Sequence, residues 1–187
     1  MPSFFLALIA VLVTSIGSRD QLLVAQLSRR LGRGYSLLVT GWLVVIATAA
    51  IMAWAGHAAA QILPGEGKTM LVAIALVLAG AELAWPNRVK AAKEPTRSLG
   101  AIALVLFSRQ LGDAGRFLIF AISAATGAPV LAGIGGALGA GAAVTIGWLM
   151  AESLEDERPL RPVRLGLAGI ILLAGIIIGL SARGLIG

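Results

Sequence analysis

The chain has 187 residues, of which 58% are hydrophobic and 13% charged, and its mean hydropathy is +0.94. Soluble domains carry about twice that charged fraction, so the composition indicates an integral membrane protein. The net charge of +6 comes from basic residues in short connections between apolar stretches, which excludes nucleic acid as the expected partner and favours the lipid bilayer. The absence of cysteine excludes thiolate metal sites, and the single His57 excludes a multi-histidine metal cluster.

Six apolar stretches approach the roughly 20 residues that a membrane span requires, so the sequence predicts an all-α membrane protein. The first stretch lacks the preceding Lys or Arg of a signal peptide, and polar residues interrupt it at 14–21. The fifth is rich in glycine, and Gly135 and Gly139 have the spacing that lets helices approach closely, here expected to serve a homo-oligomer. The predicted spans are 3–26, 35–56, 69–85, 98–125, 130–151 and 165–182.

The basic residues between the spans predict the orientation of the chain. Ten of the fifteen Lys and Arg residues lie in the connections after the first, third and fifth spans, whereas the opposite side holds only Lys68 and Arg183. Positive residues favour the cytoplasmic side, so both termini are expected outside, with the protein in the inner membrane. The ten residues are Arg29, Arg30, Arg33, Arg88, Lys90, Lys93, Arg97, Arg158, Arg161 and Arg164.

The chain aligns with itself at an offset of 95 residues, which places 15–32 on 110–127 without a gap. Gly17 then coincides with Gly112, and both polar interruptions fall at the same depth of the first span in each half. Each half has three predicted spans, an odd number, so the second half must insert upside down relative to the first. The sequence thus predicts two inverted three-helix repeats, an architecture in which matching interrupted helices mark a substrate site near the midplane. The predicted units are a first repeat (1–86), a basic cytoplasmic linker (87–97) and a second repeat (98–187).

The polar centre of the second repeat contains three charges. On a continuous helix Asp113 is four residues from Arg109 and three from Arg116, so an arginine can flank it on each side. Each charge costs roughly 2.5–3.5 kcal/mol at the centre of a bilayer, so the group is expected to face the bundle interior or a wet cavity.

In the first repeat, Ser15, Ser18 and Arg19 share a helical face and Asp20 is expected to point elsewhere. Carboxylate, amide and hydroxyl oxygens from two helices suit a hard cation such as Mn²⁺ or Ca²⁺. Two other interpretations remain open: the aspartates only neutralise the arginines, or the excess of one arginine favours an anion. The predicted ion ligands are Ser15, Ser18, Gln110 and Asp113.

These two segments resemble the motif of the GDT family of Mn²⁺/Ca²⁺–proton antiporters, which includes the Golgi manganese transporter and bacterial manganese exporters. Each half of that family opens with a helix bearing Glu-x-Gly-Asp-Lys/Arg-Ser/Thr, often followed by Gln. The first copy here keeps Gly17, Arg19 and Gln21, and the second keeps Gly112 and Asp113. The residues that depart from the motif are Ser15, Ser18 and Asp20 in the first copy and Gln110, Ala114 and Gly115 in the second.

The resemblance implies six spans in two inverted halves and a secondary transporter that exchanges Mn²⁺ or Ca²⁺ for protons without a resident cofactor. Asp113 is then the expected metal ligand and proton-coupled carboxylate. Two alternatives keep the fold: an anion-binding transporter, or a non-transporting paralogue that acts as a membrane partner. An enzyme is not expected, because the sequence holds no credible nucleophile–base pair. The expected supporting residues are Gly17, Arg19, Asp20, Gln21, Arg109, Gly112 and Arg116.

Overall fold

The computed structural model describes residues 1–86, 98–151 and 160–186, which are largely helical and contain no β-strand. The predicted basic linker, with Arg88, Lys90, Lys93 and Arg97, lies outside the described residues, as does Arg158. The helices are α1 (Pro2–Ser15), α2 (Arg19–Leu31), α3 (Tyr35–Ile62), α4 (Gly65–Ala84), α5 (Leu99–Gln110), α6 (Ala114–Thr126), α7 (Pro129–Leu149) and α8 (Arg161–Ala182).

Four helices, α3, α4, α7 and α8, have the length and hydropathy of a membrane span. Since a helix rises about 1.5 Å per residue, the 20 residues of α4 cover about 30 Å, the thickness of a bilayer's hydrocarbon core. α1 and α2 form a fifth candidate span that is bent by 60° at their junction. α5 and α6, with 12 and 13 residues, are each too short to span alone. The chain is therefore a multi-pass all-helical membrane protein with four or five candidate spans.

The predicted interruption of the first span is confirmed as a break between two helices. α1 ends at Ser15 and α2 begins at Arg19. Between them Gly17 has a φ of +70°, a conformation that glycine adopts without the clash that a Cβ would cause. Ser18 then caps α2, because its hydroxyl oxygen accepts a hydrogen bond of 3.2 Å from the Gln21 N–H.

The helix around Asp113 is also interrupted, at the second of the two predicted polar interruptions. α5 ends at Gln110 and α6 begins at Ala114, with Asp113 as the N-cap. The prediction that Arg109 and Arg116 flank Asp113 on one helical face is therefore wrong, because the helix does not continue between them.

The glycine-rich α7 lies at the centre and packs against α1, α2, α3 and α6. A Cβ on Gly139 would lie 2.6 Å from the Leu8 carbonyl oxygen, and one on Gly135 would collide with the Phe4 carbonyl. The GxxxG pair thus lets the backbones of α1 and α7 touch within one chain. Gly135 and Gly139 are consequently engaged within the chain, and a homo-oligomer through this helix stays a prediction.

Several features recur at the offset of 95 residues found in the sequence. The end of α1 and both ends of α2 correspond at this offset to the end of α5 and both ends of α6. Gly80 of α4 faces Leu172 of α8, and their counterparts, Gly175 and Val77, face each other in the same way. The correspondence therefore extends from the sequence to helix bounds and helix packing.

Hydrogen bonds from the broken helices to the long helices recur at the same offset. The Ser28 hydroxyl of α2 donates to the Trp148 carbonyl of α7 at 3.1 Å. Its counterpart, the Ser123 hydroxyl of α6, donates to the Ala53 carbonyl of α3 at 2.6 Å. Each broken helix is thus fastened to the long helix of the other half.

α4 and α8 pack along each other and depart from this equivalence in their contact with the broken helices. α4 also packs extensively on α6. Over the described residues, α8 makes at most minor contact with α2, the counterpart of α6. The α4–α8 pair therefore lies closer to α6 than to α2.

Candidate functional site

The two helix breaks meet at a small cavity in the middle of the bundle, with a volume of about 10 Å³. Such a volume holds about one water molecule or one bare ion. Its walls combine buried polar side chains from both breaks with apolar residues of α3 and α7. The polar residues of this central cavity are Ser15, Ser18, Asp20, Gln110, Asp113 and Arg116.

The first break is held in place by Gln21. Its Oε1 accepts a hydrogen bond of 2.7 Å from the Gly17 N–H, and its Nε2 donates one of 3.0 Å to the Ala143 carbonyl of α7. Gln21 therefore fixes the glycine conformation and ties the break to the central helix. Ser15, which ends α1, is 4% exposed, and its Oγ has no hydrogen-bond partner within the described part of the chain. This hydroxyl is available to a ligand in the cavity.

The second break is held by Arg116, which takes the position equivalent to Gln21 at the 95-residue offset. Arg116 is 1% exposed, and its Nε donates to the Thr48 hydroxyl of α3 at 3.0 Å. Its Nη2 donates to Gln110 Oε1 at 2.5 Å. Thr48 is itself the counterpart of Ala143, so both breaks are fastened to a long helix at equivalent positions.

Gln110 cannot serve the cavity as the oxygen ligand that was predicted. Its Oε1 already accepts hydrogen bonds from Arg116 and, at 2.8 Å, from the Thr48 hydroxyl. Its Nε2 is buried and finds no partner among the residues that the structure describes. Gln110 therefore offers the cavity a hydrogen-bond donor in place of the expected acceptor.

Two carboxylates lie in the central cavity, Asp113 as predicted and Asp20 against expectation. Asp113 is 7% exposed, and its Oδ2 accepts the Gly115 N–H at 3.1 Å, so one of its oxygens caps α6. Asp20 is 6% exposed and lines the cavity, whereas the Arg19 side chain is 38% exposed. The expectation that Ser15, Ser18 and Arg19 share a helical face from which Asp20 points away is wrong, because α1 ends at Ser15 and α2 begins anew at Arg19.

An open vestibule of about 470 Å³ leads to this centre. Arg109 and Gly112 are exposed in its wall, and Asp20 and Asp113 line both the vestibule and the central cavity. The two carboxylates therefore form the boundary between a water-accessible space and the buried site. The vestibule is lined by Arg19, Asp20, Glu82, Trp85, Pro86, Arg109, Gly112 and Asp113.

Glu82 of α4 is the charged vestibule residue that was not among the predicted site residues. Its Oε1 lies 3.7 Å from Arg19 Nε, and its Oε2 accepts the Ala114 N–H at 3.2 Å. Arg164 Nη2 lies 3.9 Å from the same Oε2, and Arg164 Nη1 donates to the Ile16 carbonyl at 3.4 Å. A lone carboxylate within an apolar span was the signal that could have identified Glu82.

Arg164 also differs from its predicted role as a cytoplasmic loop residue. α8 begins at Arg161, four residues before the predicted span, with a proline in its first turn, a position where the missing N–H costs nothing. Arg164 is consequently a helical residue that is 5% exposed beside the first break.

The central cavity thus brings together two carboxylates, one guanidinium, two hydroxyls and one amide donor. Within the described ranges, no group of three or more His, Cys, Asp or Glu residues is arranged to hold a metal ion. Asp113, the predicted metal ligand, has one other carboxylate, the Arg116 guanidinium and neutral polar groups as its neighbours in the cavity. No family model, no curated protein and no solved structure matches the chain.

Proposed function

We propose that the protein is a secondary transporter of the inner membrane that exchanges a small inorganic cation for protons. One observation carries the proposal: the same two carboxylates, Asp20 and Asp113, line both the vestibule and the small central cavity where the interrupted helices meet. Irregular backbone at the depth of a membrane is tolerated where it lines a cavity, and in transporters such breaks form the ion site.

The recurrence of contacts at the 95-residue offset supports an inverted-repeat architecture in which α5 and α6 together form the fourth of six spans. In such a transporter the two halves alternate in giving access to one shared site. The vestibule is the access route that is open in this conformation.

The described ends of the helices support one orientation. The Tyr35 and Trp148 rings lie 5.5 Å apart, which brings the connection after the first span close to the one after the fifth. Trp85 and Pro86 of the third span line a small pocket with Arg161 and Arg164, so all three basic connections begin at one end of the bundle. By the positive-inside rule that end is cytoplasmic, and the vestibule then opens toward the cytoplasm with both termini outside.

Size and charge favour a small cation over an organic substrate. The central cavity has room for about one ion or water, which is too little for a carboxylic acid or a phosphate. Its two carboxylates outnumber its one guanidinium, Arg116. Exchange then follows from charge: a carboxylate that holds a proton releases it when the cation binds, and takes a proton up again when the cation leaves. The GDT resemblance proposes Mn²⁺ or Ca²⁺ as the cation.

Reconstituted vesicles test this proposal directly. The purified protein is placed in proteoliposomes with an imposed pH gradient, and the initial uptake of Mn²⁺ and of Ca²⁺ is followed. We expect Asp113→Asn and Asp20→Asn each to lower the rate by about tenfold or more, as loss of even a supporting group at a metal site does. Glu66→Gln is the matched control, because Glu66 is an exposed carboxylate in the first turn of α4, outside the vestibule. Uptake that is unchanged in both aspartate variants contradicts the proposal.

A second candidate function, anion transport on the same fold, is favoured by the donors in the cavity. Arg116 is fully buried, the Gln110 amide presents an unpartnered N–H₂ group, and α2 and α6 both direct their N-termini toward the breaks, where negative charge is stabilised. Saturable chloride binding that weakens in Arg116→Gln, together with no cation uptake, would favour it. If the folded protein transports neither cations nor anions, the remaining interpretation is a non-transporting paralogue that acts as a membrane partner.

A further inference from the structure

We propose that Glu82 is a third carboxylate of the cation pathway, the group that receives the cation in the vestibule before Asp113 and Asp20. The inference rests on the proposed function and names a residue that the GDT-like motifs do not contain. It assigns the vestibule a binding role of its own in addition to that of a water-filled entrance.

The position of Glu82 is the first argument. It lies in the vestibule wall together with Asp20 and Asp113, and its side chain is 11% exposed. It belongs to α4, whereas the two aspartates belong to the broken helices. A cation that moves through the vestibule therefore meets carboxylates from both α4 and the helix breaks.

The partners of Glu82 are the second argument, because they differ in how easily a cation can replace them. Arg19 approaches Glu82 Oε1 at 3.7 Å and its side chain is 38% exposed, so this contact is open to solvent. Arg164 approaches Oε2 at 3.9 Å, is 6% exposed and also donates to a backbone carbonyl. Both separations are longer than a charge-assisted hydrogen bond, typically about 2.7–2.9 Å, so neither arginine occupies the best position for a ligand of Glu82.

These contacts predict a specific exchange. The entering cation takes the place of the Arg19 guanidinium on Oε1, while Oε2 keeps its hydrogen bond from the Ala114 N–H and its contact with Arg164. A divalent cation brings one more positive charge than the guanidinium it replaces, and the neighbouring vestibule carboxylates Asp20 and Asp113 offset it. Glu82 thereby holds the cation at the wall that both aspartates share.

A purely structural role for Glu82 predicts a different result and must be separated from this one. The Glu82 carboxylate also stabilises the N-terminus of α6, so its loss can lower stability without any effect on cation binding. Glu82→Asp keeps the charge with a shorter side chain, and Glu82→Gln removes the charge with the same length. Thermal unfolding of both variants reports the structural effect, and cation binding is measured separately.

The cysteine-free chain allows a binding assay that does not depend on transport. Gly112→Cys places one thiol in the vestibule wall, where a Cβ meets no atom within 4 Å. Gly65→Cys is the control, since Gly65 is equally open but lies at the start of α4, outside the vestibule. The rate of reaction with a charged, membrane-impermeant maleimide is measured on the purified protein with and without Ca²⁺, a hard cation that does not favour thiolate ligands.

We expect Ca²⁺ to slow modification of Gly112→Cys several-fold, and to leave Gly65→Cys unchanged. Adding Glu82→Gln should abolish this protection, and adding Glu82→Asp should retain part of it. Equal protection with Glu82→Gln would overturn the inference, as would the absence of protection in the chain that keeps Glu82. Uptake by proteoliposomes tests the proposed function independently. Protection without uptake would support cation binding at Glu82 and contradict transport. Uptake without protection would support transport and contradict cation binding at Glu82.

Discussion

The close contact between α1 and α7 gives a quantitative prediction for Gly139→Ala. The added Cβ would lie 2.6 Å from the Leu8 carbonyl oxygen and 2.9 Å from the Leu12 nitrogen, both backbone atoms of α1. An ordinary carbon–oxygen contact is about 3.3 Å or longer, so α1 must retreat by about 0.7 Å. Overpacking of this kind costs about 1–3 kcal/mol.

The assay is thermal unfolding in detergent, followed by circular dichroism and by the fluorescence of the four tryptophans. For a chain of this size 1 kcal/mol corresponds to about 2–4 °C, so Gly139→Ala should lower the Tm by about 2–12 °C. The matched control is Gly169→Ala in α8, where a Cβ meets no atom within 4 Å and alanine is the better helix former. Its Tm should stay the same or rise slightly.

The same substitution connects packing to the site. Ser15 is the last residue of α1, so a displaced α1 moves its hydroxyl relative to Asp113 and Asp20 in the central cavity. We therefore expect reduced flux as well as reduced stability. Equal Tm values for Gly139→Ala, Gly169→Ala and the unaltered chain would refute the reasoning, because they would mean that α1 and α7 are not in backbone contact.

Three further predictions concern the equivalent bonds, the first break and the vestibule. Ser28→Ala and Ser123→Ala each remove one bond to a long helix, and we expect similar losses of about 0.5–1.5 kcal/mol in denaturant unfolding; clearly unequal losses would count against equivalent roles. Gln21→Leu removes the side-chain acceptor of the buried Gly17 N–H and the bond to the Ala143 carbonyl, which costs about 1–3 kcal/mol, and should lower both Tm and flux; full flux would show that the break does not need Gln21. Arg109→Glu in the exposed wall should lower the half-saturating cation concentration in uptake assays at low ionic strength, and the effect should vanish near 1 M salt, where the Debye length is about 3 Å; an effect that persists at high salt would refute simple attraction.

The positions of the breaks could be predicted because they are local properties of the chain. Gly17 and the polar residues around it interrupt an otherwise apolar helix, and the 95-residue offset transfers that signal to Gln110–Asp113. The same offset then reappears in the helix bounds. Composition and hydropathy likewise sufficed for the helical membrane class.

The direction of the side chains at the breaks could not be predicted, because it depends on where each helix restarts. Asp20 turns into the cavity only because α2 begins at Arg19 and not earlier. The Gln110 amide oxygen accepts a hydrogen bond from Thr48, which lies 62 residues away in the sequence. No spacing argument within the motif could show that its oxygen is already bound.

Glu82 and Arg164 were missed for a related reason. Each lies close to the end of a predicted span, where a charged residue normally indicates the membrane surface. The burial of Glu82 follows from the packing of α4 on α6, and that of Arg164 from its position beside Ile16 and Gly17. The burial of a charged side chain therefore depends on tertiary packing, and its position within a predicted span does not determine it.

The unequal packing of the α4–α8 pair has an energetic consequence if the two halves are equivalent as proposed. α4 rests on α6, and in the reverse arrangement that the repeat implies α8 would rest on α2, the counterpart of α6. A change between the two arrangements replaces the α4–α6 interface with an α8–α2 interface. The two arrangements therefore differ in free energy by far less than the folded and unfolded chains do. Packed interfaces of this kind are bistable, and small changes in differential affinity then shift their populations. A single substitution at the α4–α6 contact should accordingly change which arrangement predominates while leaving the fold intact.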